Sequence, residues 1–239
     1  MNPVTLQKPE DGSGQMFDRI ATRYDLLNRV MSLGMDRAWR NAAAKALELK
    51  PSHRILDLAT GTADLALVIA SRMEGVKVVG LDPSKEMLAV GRRKVLASAQ
   101  ASQVELVEGD AQALPFDDSS FDGLSMAFGI RNVPDRPKAL LEMARVVRRD
   151  GRICILELSE PGDGIFGGLA RFYVHVVIPR IGSILSGERE YRYLQRSIAA
   201  FPRANEFADV MRSSGLQVLS TTSLGFGACH LYVATPKES

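Results

Sequence analysis

The sequence predicts an α/β fold: one mostly parallel sheet of seven strands with helices on both faces. Three observations carry this. Apolar strand-like runs alternate with helical stretches through most of the chain, the pattern of strands buried on both faces. The 239 residues, 46% apolar and 24% charged, suffice for one sizeable core and give no reason for two domains. The first strand, Ile55-Leu56-Asp57-Leu58, ends in a turn of small residues, Ala59 to Ala63, that leads into a helix.

The elements follow in order. Residues 1–15 are polar, with two prolines and two glycines; they lack the apolar stretch of a secretory signal and are expected to fray. The domain proper spans 16–239. Met16 to Leu49 reads as helices with a break near Ser32-Leu33-Gly34, and Trp39 as their core anchor. His53 reads as a loop residue. Strands are expected at 54–59, 76–82, 103–108, 121–127, 151–158, 216–222 and 230–235. Helices are expected at 64–73, 84–99 and 135–148, with a shorter connection around 110–118. In the third of these helices Asp135 caps the start, Pro137 fits the first turn, and Ala139, Leu140, Met143, Ala144 and Val147 share a face. Asp150-Gly151 then turns the chain into the next strand. The glycine- and aromatic-rich interval 160–202 interrupts this rhythm, and an insertion of that length suits a substrate cover.

Composition excludes several classes. A formal charge of +2 without a Lys/Arg block argues against a nucleic-acid partner. Arg145, Arg148 and Arg149 sit where a helix ends and complement its dipole. No run of about 18 apolar residues offers a membrane span, and a cytoplasmic location is the simplest expectation. Cys154 and Cys229 are far apart, without metal-type spacing; Cys154, inside an apolar strand, reads as a packed thiol, and no metal is expected.

Three segments outline a pocket for an adenosine. The small turn after the first strand lets a ligand approach the backbone closely. The second strand, Val78-Val79-Gly80-Leu81-Asp82, ends in a carboxylate 21 positions after Gly61, the spacing at which an acid meets a ribose. Gly109-Asp110-Ala111 follows the third strand. The G-x-G-x-x-G fingerprint is absent and no P-loop lysine follows, so an adenosine without a pyrophosphate fits better; S-adenosylmethionine is the common one. Asp57, Gly61, Thr62, Asp82, Asp110 and Ala111 are the cofactor-binding candidates. Asp82 would take both ribose hydroxyls, Asp110 and Ala111 the adenine edge, and Thr62 with Asp64 the methionine portion.

Longer motifs then name a family. Tyr24-Asp25-Leu26-Leu27-Asn28 with Ser32 and Trp39, Ala127 to Val133, Arg145 to Gly151 leading to Glu157-Leu158-Ser159, Tyr193-Leu194 with Ser197-Ile198 and Phe201-Pro202, and Gly225 to His230 resemble the signatures of the ubiquinone/menaquinone biosynthesis C-methyltransferases. The resemblance runs from about Phe17 to Pro236. It implies a class I, Rossmann-like methyltransferase sheet with an antiparallel last strand. Some positions depart from the family's pattern. Asp36 stands where the family often carries His, and Asp150 replaces a Gly at a turn. Ala63 replaces another Gly; positive φ would cost a β-carbon about 1–2 kcal/mol, so an ordinary backbone is expected there. Ala127, in place of Ser, together with Tyr191 to Leu194, tilts the resemblance toward the menaquinone branch.

What the resemblance implies is methyl transfer from S-adenosylmethionine to a ring carbon of a reduced polyprenyl quinol, demethylmenaquinol first and the benzoquinol of ubiquinone biosynthesis as the alternative. Alignment and an electron-rich ring suffice for that reaction. Arg131 and Asn132 are the catalytic candidates. An arginine is a poor base and would instead stabilise a phenolate, although bracing its own loop is the plain alternative. Tyr24, Asp25 and Phe128 are the substrate-binding candidates. His175 and His230 are candidate relays, with a structural histidine the default for each. Ile165, Phe166, Leu169, Phe172, Tyr173, Val176 and Val177, flanked by Arg171 and Arg180, would form an apolar lid over the pocket or a peripheral contact with a membrane surface. A homodimer stays open. Rival readings are a different small-molecule acceptor, a nicotinamide-dependent oxidoreductase and a non-catalytic cofactor-binding scaffold.

Overall fold

The computed structural model describes residues 13–159 and 188–237. Three amino-terminal helices, Ser13–Ile20 (α1), Tyr24–Met31 (α2) and Met35–Ala46 (α3), precede the sheet. They are separated at the expected break, where Leu33 and Gly34 take positive φ. The sheet begins with Arg54–Leu58 (β1), followed by Asp64–Arg72 (α4), Lys77–Asp82 (β2), Lys85–Leu96 (α5), Val104–Glu108 (β3) and Phe121–Ala127 (β4). A short 3-10 turn, Ile130–Asn132, then leads to Arg136–Val146 (α6) and Val147–Leu158 (β5). Glu188–Ala199 (α7), Ala204–Ser213 (α8), Leu216–Leu224 (β6) and Cys229–Pro236 (β7) complete the described residues.

The seven strands lie in the order β3-β2-β1-β4-β5-β7-β6. β1 to β5 pair in parallel, and β7 runs antiparallel between β5 and β6. The fold class and the antiparallel last strand are as the sequence led one to expect. The order itself locates a crevice. From β1 the chain steps outward to β2 and β3, then returns to β4 on the other side of β1. Connections therefore diverge above the carboxyl ends of β1 and β4, where ligands bind in such sheets.

Strand residues alternate between two cores. Leu56, Leu58, Leu124, Met126, Ile153, Ile155 and Tyr232 pack with residues of α6 and α8, including Phe207 and Met211. Ile55, Val78, Cys154, Leu156, Leu231 and Val233 pack with Trp39, Ala43 and Ala44 of α3 and Leu65, Ala66 and Ile69 of α4. Each such large side chain contributes about 1.5–3 kcal/mol on leaving water. Trp39 is the anchor foreseen for the amino-terminal helices. Cys154 is fully buried and unbridged, and burial pushes its thiol up to about 12, so it is inert.

Helix starts follow local chemistry. The Ser84 hydroxyl accepts from the Met87 amide at 3.1 Å to cap α5, and the Asp135 carboxylate accepts from Lys138 at 3.1 Å to cap α6, each worth about 1 kcal/mol. The end of α6 corrects the sequence reading. The strand after it starts at Val147, earlier than expected, and its register on β4 skips between Phe121↔Val147 and Gly123↔Arg152. Asp150-Gly151 is an irregularity inside β5 rather than a turn before it. Arg148 and Arg149 thus belong to a strand, and Arg148 pairs with Asp122. Arg145 alone remains in the helix's last turn. It bonds Glu142, Asp118 and the carbonyls of Leu114 and Phe116, clamping the loop after β3 instead of serving the dipole.

Of the insertion at 160–202, the part from 188 onward is described: α7 lies beside the 3-10 turn after β4, and Phe201 reaches the core against Phe207. Residues 160–187, with His175 and the apolar side chains assigned to the lid, lie outside the described residues, as do residues 1–12.

Candidate active site

The crevice has two halves. The first is the turn after β1. Ala59, Gly61 and Ala63 have φ of +49°, +56° and +66°, so three of five residues are left-handed. Ala63 corrects the expectation of an ordinary backbone there. Glycine would take this positive φ freely, and this chain holds an alanine in it at about 1–2 kcal/mol. The strain is held by an internal network. Asp57 accepts from the hydroxyls of Thr60 at 2.7 Å and Ser125 at 2.6 Å. Asp82 accepts from the Gly61 amide at 2.8 Å and the Ser84 amide at 2.9 Å. Burial pushes both carboxyls up to about 6, and those hydrogen bonds limit the rise. Asp57 is spent on bracing the turn, whereas Asp82 closes it from β2 with lone pairs to spare.

Helices α1 and α2 lie over this half. Asp25 accepts from the Thr62 hydroxyl at 2.5 Å and from Lys94 at 2.7 Å, and Lys94 also pairs with Asp64. Asp18 accepts from Ser84 at 2.5 Å. Asp25, a substrate-binding candidate in the sequence, therefore lies against the turn after β1. Asp36 is buried in an ion pair with Arg40 and accepts from Ser32 at 2.9 Å. Asp18 and Lys94 were missed in the sequence. Lys94 is one of three consecutive basic residues on α5, and nothing local separates it from its solvated neighbours. Asp110 is exposed after β3, with its carboxylate bonded by Gln112, and Ala111 beside it is buried.

The second half follows β4. Gly129 is required here: a β-carbon on it would sit 2.4 Å from that of Ala59, so the glycine lets the two loops touch. Phe128, at φ +60°, lies beside Trp39 with ring centroids 6.3 Å apart. Arg131 is buried. Its Nη1 donates to Glu157 Oε1 at 2.6 Å and to the Phe128 carbonyl at 2.7 Å, and its amide donates to Glu157 Oε2 at 3.1 Å. Burial works against the guanidinium charge, but Glu157 more than offsets it and the arginine stays a cation. Asn132 accepts from the Tyr193 hydroxyl at 3.1 Å. Tyr24, half-buried on α2, lies within the fields of Arg131 and Asp82, and burial raises its phenol; it joins the two halves. Among the described residues, Arg131 Nε, Arg136 Nη1 and the Tyr232 hydroxyl are buried without a hydrogen-bond partner, as are Asn28 Nδ2 on α2 and the Ser120 hydroxyl before β4. Glu157 was missed as a site residue although a signal exists: it is an acid in the otherwise apolar run Ile153 to Leu158.

S-adenosylmethionine fits the first half. The acids Asp18, Asp25, Asp57, Asp64 and Asp82 outnumber the cations Lys94 and Arg40, which are themselves ion-paired. That charge balance suits a cationic sulfonium and opposes a diphosphate.

Comparison with known proteins agrees. The family model described as the ubiE/COQ5 methyltransferase family matches residues 5–236. This chain belongs to that family. Methyltransferase activity with S-adenosylmethionine as donor follows from the membership. Among its relatives, the demethylmenaquinone methyltransferase of Deinococcus radiodurans is 43% identical over 234 residues, covering 97% of this chain and 96% of that one. The demethylmenaquinone methyltransferase of Thermus thermophilus is 44% identical, covering 90% and 98%. The ubiquinone/menaquinone biosynthesis C-methyltransferase UbiE of Geotalea uraniireducens is 44% identical, covering 92% and 94%. Solved structures support the fold alone. A SAM-dependent methyltransferase from Aquifex aeolicus superposes with a TM-score of 0.61 at 18% identity, over 82% of this chain and 89% of that one. The [4+2]-cyclase SpnF superposes at 0.72 and 14% identity over 98% of both, a case of one fold carrying a different named activity.

Proposed function

We propose that this protein methylates a ring carbon of a demethylated polyprenyl quinol, demethylmenaquinol in the first instance. The observation that carries the proposal is the buried Arg131–Glu157 pair at the carboxyl end of β4, with Arg131 Nε unpartnered beside it. A quinol hydroxyl that gives up its proton becomes a phenolate, and a buried guanidinium donor is what such an oxygen needs. The names carried by relatives of 43–44% identity point to the same substrate class.

In this reading Asp82, Gly61 and Thr62 hold the ribose and methionine portions of the donor, with Asp110 and Ala111 at the adenine. When bound, the sulfonium supplies an activated methyl group, so the protein's task is alignment and exclusion of water. Arg131 receives the quinol oxygen, Asn132 and Tyr193 border the ring, and Tyr24 and Phe128 line the space between the two halves. Asp25 fastens α2 over the cofactor turn. The isoprenoid tail is taken from a bilayer by peripheral contact; among the described residues no helix is long and apolar enough to cross a membrane.

Mass spectrometry after incubation with S-adenosylmethionine and two reduced acceptors, demethylmenaquinol and its benzoquinol counterpart, tests the substrate. One methyl added to the naphthoquinol supports the proposal. Cofactor binding without a methylated product from either acceptor overturns it.

A further inference from the structure

A phenolate needs a base, and Arg131 is not one: its guanidinium is charged and held so by Glu157. The phenols of Tyr24 and Tyr232 are raised by burial and keep their own protons. Glu157 is fully committed, accepting from the Arg131 side chain, the Arg131 amide and the Leu158 amide. His230 stands apart from all of these. It is the cross-strand partner of Glu157, at the register Glu157↔His230 between β5 and β7, so both side chains project from the same face at the ligand end of the sheet.

The hydrogen bonds around His230 assign its tautomer. The Ser159 hydroxyl donates its one proton to the Gly227 carbonyl at 3.0 Å. It therefore accepts at its other contact, 2.7 Å from His230 Nδ1, and Nδ1 carries the hydrogen. Nε2 is left with a bare lone pair, and no described residue bonds to it. Ser159 is itself fixed, since its amide donates to the Ala228 carbonyl at 3.1 Å. Together these make a half-buried neutral imidazole whose basic nitrogen is bonded by no described residue, one strand from the Arg131–Glu157 pair.

We propose that His230 is the base that removes the quinol hydroxyl proton, and that Ser159 is the positioning residue that keeps Nε2 unprotonated. The proposal rests on the quinol reading above. The quinol O–H bond breaks, its electron pair stays on the oxygen beside Arg131, and the proton bonds to Nε2. Once the ring carbon has gained its methyl, it carries a hydrogen and a methyl together. Loss of that hydrogen to solvent restores the aromatic ring, and the imidazolium returns its proton to the oxygen. One proton leaves per turnover, which balances a cationic donor and a neutral product.

The groups facing His230 set its pH behaviour. They are Glu157 on β5, which is neutralised by Arg131, Tyr232 on β7 at a centroid distance of 6.2 Å, and Arg131 and Arg136 beyond Glu157. Burial lowers the imidazole from its ordinary value. The neutral form is the active one, so kcat/KM rises with pH and levels off at or below the ordinary histidine value of about 6.5.

The test joins a structural readout to a kinetic one. In nitrogen-15 NMR spectra of the ligand-free protein, His230 is expected in the Nδ1–H form, and Ser159→Ala is expected to mix the tautomers. His230→Gln is expected to lower kcat about 100- to 10,000-fold and to abolish the acid limb, while calorimetric affinity for S-adenosylmethionine is retained. An Nε2–H tautomer in the wild type would overturn the proposal. So would a His230→Gln enzyme that keeps near-normal kcat and the acid limb. Should His230→Gln not fold, Ser159→Ala decides: a lower kcat at unchanged KM with a displaced acid limb supports the assignment, and an unchanged tautomer and profile overturn it. Wild-type inactivity on both quinols overturns the substrate reading and the base with it; wild-type activity alongside an unaffected His230→Gln enzyme removes the base alone.

Discussion

The two halves of the crevice are wired differently. Around the turn after β1 every buried carboxylate is bonded: Asp57 by Thr60 and Ser125, Asp82 by two amides, and Asp25 by Thr62 and Lys94. Around the turn after β4, Arg131 Nε, Arg136 Nη1 and the Tyr232 hydroxyl are buried and unpaired. In the proposed reading, a half whose buried carboxylates are all bonded, with Asn28 Nδ2 on α2 as its one unpaired buried group among the described residues, is preorganised for one invariant ligand. In the same reading, a half with open donors is completed by an oxygen-bearing substrate, and each open donor costs about 1–3 kcal/mol while unpaired.

The sharpest way to break the contrast is Glu157→Gln. It leaves the Arg131 guanidinium buried without its partner, and a loss of about 3–5 kcal/mol of stability is expected in chemical denaturation. A loss below about 1 kcal/mol would mean that solvent reaches the pair. Next comes Asp82→Ala, expected to weaken S-adenosylmethionine binding by roughly 1.5–3 kcal/mol in calorimetry while leaving quinol KM unchanged. Intact cofactor affinity in a folded mutant would remove Asp82 from the site.

The same carboxylate makes cofactor binding pH-dependent. With its pKa pushed up to about 6, Asp82 is ionised above that pH and protonated below it. Affinity is expected to be full at neutral pH and to fall up to about tenfold per unit as pH drops through 6. The stability effect has the opposite sense. A carboxyl raised in the folded state binds protons more tightly than in the unfolded chain, so its contribution is greatest near pH 4 and declines as pH rises through 6. Asp57, pushed up to about 6 as well, adds its own share to the decline, and Asp57→Asn should remove that share in thermal denaturation across this window.

The smallest expected effect is from Ala63→Gly. Relief of the left-handed strain exceeds the added entropy of the unfolded chain, for a net gain of about 0.5–1 kcal/mol at unchanged cofactor affinity. A loss of stability would mean that the packing of the buried Ala63 methyl outweighs its φ.

How much of this was legible in the sequence also divides along the crevice. The strands, their order of appearance and the acids of the turn were readable, because alternation and the 21-residue interval from Gly61 to Asp82 are local patterns. The start of β5 was misplaced because Val146 and Val147 suit a helix face and a strand equally, and pairing with Phe121 decided it. Positive φ at Ala63 was hidden because an alanine carries no mark of strain. Glu157, Lys94 and Asp18 act through partners 26 to 69 positions away, and a single sequence does not show such pairings.

The most direct test of the division is Arg131→Lys, which keeps the charge beside Glu157 but removes Nε and the planar fork. Calorimetry with S-adenosylmethionine and turnover of demethylmenaquinol should be measured on the same preparation. The expected result is cofactor affinity within about threefold of wild type and turnover lower by about 100-fold or more, as for an interaction made chiefly in the transition state. Equal losses in both, or undiminished turnover, would contradict the proposed division between a half whose carboxylates are all bonded and one whose donors wait for a substrate.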